Sequence, residues 1–155
     1  MPLTFRRATA EDLPALVALL ADDMLGAARE DLGPPLPAAY ALAFETIAAD
    51  ANQLLVVAEE EGAPGGAPVG TMQLTFLPGL SRQGAWRCQI EAVRIAAPER
   101  GRGLGRQMIA FAVEEARARG CAHVQLTSHN DRKDAHRFYA GLGFEQSHIG
   151  YKLIL

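Results

Sequence analysis

The chain has little cysteine, little net charge and no long apolar run, and each shortage excludes a class of protein. Two cysteines in 155 residues, Cys88 and Cys121, are too few for a disulfide framework and lack metal-ligand spacing. They are expected to be reduced thiols. A formal net charge of -3 rules out the basic footprint of a nucleic-acid-binding domain. The one Arg-Gly-Arg-Gly repeat, in an acidic chain, gives too little electrostatic affinity for RNA. No stretch approaches the roughly 18 apolar residues of a membrane helix, and the N-terminal residues have no apolar signal core. His123, His129, His136 and His148 have no paired spacing, so no metal site is expected. These shortages lead to the expectation of a cytoplasmic protein with neither membrane nor nucleic acid among its partners.

What remains is a chain that is 49% hydrophobic, long enough for one core, and it is expected to form a single domain over residues 1–155. Leu3 and Phe5 alternate with polar neighbours in an opening strand. Thr9 and Asp12 mark a helix start, with Leu13, Leu16, Val17, Leu20 and Met24 at helical spacing and Pro14 confined to the first turn. Gly33–Pro37 links this helix to a second one over Ala38–Ala49. Gln53–Glu59, Val69–Leu77 and Gly84–Ile95 are expected as an antiparallel meander, the first two strands joined by a turn at Glu61–Gly66.

A third helix begins at Leu104 and buries Met108, Ile109, Ala112, Val113 and Ala116, with Glu115 and Arg119 at pairing distance and Gly120 as its left-handed stop. Cys121–Ser128 is the next strand, parallel to the one before the helix because a crossover of this length demands it. Asp131 or Asp134 is expected to cap a last helix, ended at Gly141–Gly143. Phe144–Leu155 is expected to return as one kinked strand or two short ones.

The densest information lies in Arg100-Gly101-Arg102-Gly103-Leu104-Gly105, with three glycines in five positions between an apolar strand and a helix. Backbone N–H groups bare of side chains at the positive end of a helix dipole bind phosphate without many lysines. A dinucleotide fingerprint fits poorly, because Arg106 stands where its third glycine would fall.

This R-x-x-G-x-G stretch, the following helix and strand, and Ala135…Phe138-Tyr139…Gly143-Phe144 together resemble the GCN5-related N-acetyltransferase (GNAT) superfamily. The C-terminal third is similar to aminoalkylphosphonate N-acetyltransferases. The resemblance implies an α+β fold, with a mixed central sheet in the order β-α-α-β-β-β-α-β-α-β and helices on both faces. It implies acetyl-CoA as cosubstrate, a small-molecule primary amine as acceptor, and direct attack in a ternary complex. The turn amides (Gly101, Gly103, Leu104, Gly105) would hold the pyrophosphate, with Arg100, Arg102 and Arg106 near its charge. Val93, Arg94 and Ile95 would pair by backbone with the pantetheine arm, and Asn130 lies in the loop beside it. Arg132 stands where the family often has Asn. Tyr139 would return a proton to the leaving thiolate.

Glu91 is the candidate base. Strand alternation puts Gln89, Glu91 and Val93 on one face, and a carboxylate among apolar neighbours would be desolvated as a general base needs. The family's usual base position falls on Gln89, which cannot take a proton, so a water-relayed path stays open, as does a place for His148 in the amine pocket. Two other readings remain: a CoA- or acyl-CoA-binding regulatory domain without turnover, and an acetyltransferase of a protein amine. A homodimer is a further expectation.

Overall fold

Apolar runs returning beside one another build the sheet. In the computed structural model, which describes residues 2–62 and 65–155, β1 (Leu3–Arg7) pairs antiparallel with β2 (Gln53–Glu60). β2 pairs with β3 (Gly70–Leu77), and β3 with β4 (Trp86–Ile95), again antiparallel. β5 (Cys121–Leu126) completes a five-stranded sheet in the order β1-β2-β3-β4-β5. The turn expected at Glu61–Gly66 includes Ala63 and Pro64, which lie outside the described residues, as does the side chain of Met24. The chain divides into two compact units, one ending at Gln125 and the other Leu126–Leu155.

In the first unit, opposite faces of the sheet bury different helices. The face of Leu54, Val56, Met72, Leu74 and Ile90 is covered by α5 (Leu104–Ala118), whose Leu104, Met108, Ile109, Ala112 and Ala116 are buried as the 3.6-residue period requires. Phe111 of α5 stacks on Phe5 at 4.5 Å. Gly70 permits this approach, since a Cβ there would lie 3.0 Å from both the Met108 sulfur and the Arg94 carbonyl. On the face of Val57, the helix α1 (Leu13–Ala21) inserts Leu16 and Leu19, joined by Phe44 of α3 (Ala38–Ala49). Between α1 and α3 lies a single turn, α2 (Met24–Ala27). A further short turn, α4 (Ser81–Gly84), in which Arg82 and Gln83 are left-handed, leads into β4. The second unit holds α6 (Lys133–Ala140).

Local details depart from the sequence reading in five places. Asp12 closes a 3₁₀ turn over Ala10–Asp12, where its carboxylate accepts the Thr9 N–H at 2.7 Å, so the regular helix starts one residue later. Arg119 donates to the Ala51 carbonyl at 2.9 Å and lies over the Phe76 ring at 3.9 Å, rather than pairing with Glu115. Arg132, not Asp131 or Asp134, occupies the N-cap position of α6. The expected strand over Phe144–Leu155 is absent, and its apolar side chains from Ile149 on are exposed. The α+β architecture itself stands without that strand. The fifth departure, inside β4, shapes the site.

Candidate active site

β4 carries a bulge. Arg94 lies opposite Thr71 and Glu91 opposite Gln73, so one residue of β3 faces two of β4, Ala92 and Val93. Ala92 takes a left-handed backbone (φ 53°), a conformation that costs an L-residue about 1–2 kcal/mol. Such strain is characteristic of functional segments. The bulge reverses the alternation beyond it. Arg94 joins Gln89 and Glu91 on one face, and Val93 moves to the face of Met72, which corrects the grouping read from strict period 2.

Past the bulge, the chain makes the glycine turn. Gly101 and Gly103 are left-handed (φ 78° and 79°), and a Cβ built at either meets no atom within 4 Å. The space over both glycines is therefore open to a ligand. Gly103 stands at the N-cap of α5, where no side chain caps the helix. The first N–H groups of α5 are thus left to an outside acceptor, at the positive end of the dipole. These features fit an anionic group laid against bare backbone. Leu104 contributes only its backbone there, since its side chain is buried.

The arginines around the turn are largely engaged by acids. Arg100 donates from Nε to the Ile95 carbonyl at 3.0 Å and from Nη2 to the Asp22 carbonyl at 2.6 Å. Asp22 in turn accepts the Ala97 N–H at 2.9 Å. Arg94 pairs with Asp23 at 3.3 Å, and Arg102 with Glu99. Arg106, on the first turn of α5, is exposed. Two adjacent acids after α1 thereby fasten the end of that helix to the end of β4 and to the turn. Sequence reading missed this pair, whose only sign was two consecutive acids following an apolar helix.

Around Glu91 the neighbouring side chains on its sheet face are polar, while Leu55 and Val57 lie further along the same face. Gln73 and Thr75 both donate to Gln53 Oε1 at 2.9 Å, and Gln125 donates to Gln89 Oε1 at 2.7 Å. Glu91 is exposed among them, so the apolar, desolvating surroundings expected for it are not what it has. Neither cysteine is a ready nucleophile. Burial, and then the nearby Cys121 thiol, push Cys88 up to about 12, and burial raises Cys121 as well.

In the second unit, the Tyr139 ring is held edge-on between Phe138 (5.2 Å) and Phe144 (5.7 Å). His136 hydrogen-bonds the His129 carbonyl at 2.9 Å, and so anchors the loop before α6. Asn130 in that loop is exposed. His148 is exposed and contacts Ser147 at 2.7 Å.

The family model for the acetyltransferase (GNAT) family matches residues 15–144. The chain belongs to that family. A rice relative (Oryza sativa subsp. japonica), glucosamine 6-phosphate N-acetyltransferase 1, is 34% identical over 120 residues, which is 75% of this chain and 68% of that one. The aminoalkylphosphonate N-acetyltransferase of Salmonella typhimurium is 39% identical over 66 residues, and the match spans only 43% of either length. A crystal structure of a transcriptional regulator from Bacillus halodurans C-125 superimposes with a TM-score of 0.93 at 45% identity, covering 99% of this chain and 100% of that one. This GNAT chain therefore shares its fold with a solved protein and aligns over part of its length with two N-acetyltransferases.

Proposed function

We propose that the protein transfers acetyl from acetyl-CoA to the primary amine of a small polar molecule. The observation that carries the proposal is the pair of left-handed glycines at the uncapped start of α5, directly after a bulged strand. In this reading the N–H groups of Gly101, Gly103, Leu104 and Gly105 hold the pyrophosphate, with Arg102 and Arg106 beside it and Arg100 shaping the turn. The backbone of Val93, Arg94 and Ile95, and Asn130 in the loop before α6, attend the pantetheine arm.

The amine nitrogen attacks the thioester carbon, and the carbon–sulfur bond breaks. An amine with a pKa of about 10.4 must first lose a proton, which costs roughly 4–5 kcal/mol at pH 7. Glu91 receives that proton through water on the polar sheet face, and Tyr139 supplies one to the departing thiolate. Burial raises both thiols, which supports direct attack over an acyl-cysteine route. The glutamines on the Glu91 face suit an acceptor rich in hydrogen-bonding groups, and both acetyltransferase relatives are named for phosphorylated or phosphonate-bearing amines. The test is CoA release with a panel of such amines and plain alkylamines. Turnover restricted to the plain alkylamines would refute the acceptor class.

One observation favours a second reading, a regulatory domain that binds acyl-CoA without turnover: Gln89 stands at the family's usual base position and Glu91 is exposed. Acetyl-CoA binding with no turnover across the panel would establish it.

A further inference from the structure

Arg87, Gln89 and Glu91 follow one another on one face of β4, before the bulge interrupts the alternation. Arg87 is half-buried opposite Leu77 of β3, and among the described residues its guanidinium has no hydrogen bond or ion pair. By contrast, Arg6, Arg94, Arg100 and Arg102 are all paired with acids. A guanidinium held partly out of water without an acceptor is costly, and it calls for an anion from outside. Gln125 of β5 donates to Gln89 Oε1 at 2.7 Å, which sets the two side chains next to each other. Joined through α5, β4 and β5 run parallel, so two residues earlier on each strand Arg87 and His123 are neighbours on this face. There too a nitrogen lacks its partner. His123 Nε2 lies 3.3 Å from Gln125 Oε1, while Nδ1 is buried and unbonded among the described residues. The turn after β3 leaves space beside the guanidinium. A Cβ at Gly79 would stand 3.3 Å from the Ala85 carbonyl, 3.5 Å from Arg87 Nη1 and 4.0 Å from the Ser81 hydroxyl.

We infer that Arg87, with His123 beside it, binds the phosphate or phosphonate of the acceptor amine. The inference rests on the acetyl transfer proposed above and names the side chain that selects its substrate. At about 3.3 Å per residue, the backbones of Arg87 and Glu91 stand roughly 13 Å apart. A small molecule with an amine at one end and an oxyanion at the other can lie along this row. Its nitrogen then meets Glu91, its anion meets Arg87, and Gln89 and Gln125 face the groups between. The planar guanidinium offers parallel N–H groups to two oxygens of a tetrahedral anion, a fit that a single point charge lacks. A plain alkylamine leaves Arg87 unpaired, so the site selects by penalty as well as by attraction.

The experiment titrates 2-aminoethylphosphonate and glucosamine 6-phosphate by calorimetry into the chain saturated with CoA, which keeps these anions off the glycine turn. Arg87→Gln should weaken their binding about 10- to 100-fold, the scale of hydrogen bonds to a charged group. In turnover, the preference for each over its anion-free analogue, ethylamine or glucosamine, should fall by the same factor. Arg82→Gln, which removes an exposed charge from the turn before β4, should keep the wild-type preference. Phenylglyoxal labelling of wild type serves even if the Arg87 variant misfolds. Either anionic amine should protect Arg87, and its analogue should not. No binding of either anionic amine to the CoA-loaded chain would overturn the inference. So would an equal loss in both arginine variants, or labelling of Arg87 that bound ligand leaves unchanged. Protection of Arg87 without turnover of any amine would keep this site and refute the acetyl transfer. Turnover of the anionic amines with undiminished preference in Arg87→Gln would do the reverse.

Discussion

Arg100 donates through Nη2 to both the carbonyl (2.6 Å) and the carboxylate (3.0 Å) of Asp22, 78 residues earlier in the chain. The same guanidinium holds the Ile95 carbonyl, so one side chain joins the end of α1, the end of β4 and the glycine turn. An arginine committed in this way serves a phosphate site by fixing the turn that carries the amides.

Asp22→Ala is therefore expected to weaken acetyl-CoA binding about two- to five-fold, the scale of an exposed ion pair. Calorimetric titration checks it. A rise in affinity would mean that the carboxylate competes with phosphate for Arg100, and that Arg100 is a direct ligand.

Gly103→Val tests the turn itself. At φ 79° a β-branched residue is strained by about 1–2 kcal/mol, and its side chain fills the open space over the turn. The melting temperature should fall by about 2–8 °C, and acetyl-CoA binding should disappear. Unchanged affinity would remove the turn from the proposal.

That turn was legible in the sequence because glycine at alternate positions before a helix has few other uses. The buried face of α5 was legible for a similar reason, since Leu104, Met108, Ile109, Ala112 and Ala116 repeat at helical spacing. The bulge was not. Left-handed positions are normally marked by glycine or asparagine, and Ala92 carries no such mark. Without the bulge, Val93 falls on the wrong face, and Arg94 shows no relation to Asp23. The C-terminal tail misled in the opposite direction. Its alternation announces a strand, but the residues take no strand conformation.

Tyr139→Phe keeps the ring between Phe138 and Phe144 and removes only the hydroxyl. Turnover is expected to drop about 100-fold with acetyl-CoA affinity nearly unchanged, the range of one acid–base role. Normal turnover would make the residue part of the aromatic packing alone.

A stability prediction concerns β1. Arg6 donates to both oxygens of Asp12 (2.7 and 2.8 Å) and to Glu59 (2.6 Å). The Arg6 guanidinium, with help from the Thr9 N–H and hydroxyl, holds the Asp12 carboxyl at about 2, against an ordinary value of 3.8. The folded state thus binds this proton less readily than the unfolded one. The stabilisation is complete above about pH 5 and is lost as the pH falls towards 2. Asp12→Asn should cost roughly 2 kcal/mol at pH 7 and flatten the acid limb of the stability curve. An acid limb identical to wild type would show that the pair contributes nothing net.

Glu91→Gln preserves size and hydrogen bonding opposite Gln73 but cannot accept a proton. If Glu91 takes the amine's proton through water, the variant should lose most of its turnover at pH 7. It should recover part of it at pH 9 to 10, where free amine is already abundant. The exposure of Glu91 sharpens this test, because removing its carboxylate disturbs no buried partner and any loss reports on the chemistry. A pH–rate profile parallel to wild type and merely lower would show that the carboxylate only orders the polar face. The base would then be a water held along Gln89 and Gln125, or the exposed ring of His148, and His148→Gln would separate the two. Loss of turnover at pH 7 with recovery at pH 9 to 10 in that variant would select the histidine, and an unaltered profile would leave the water.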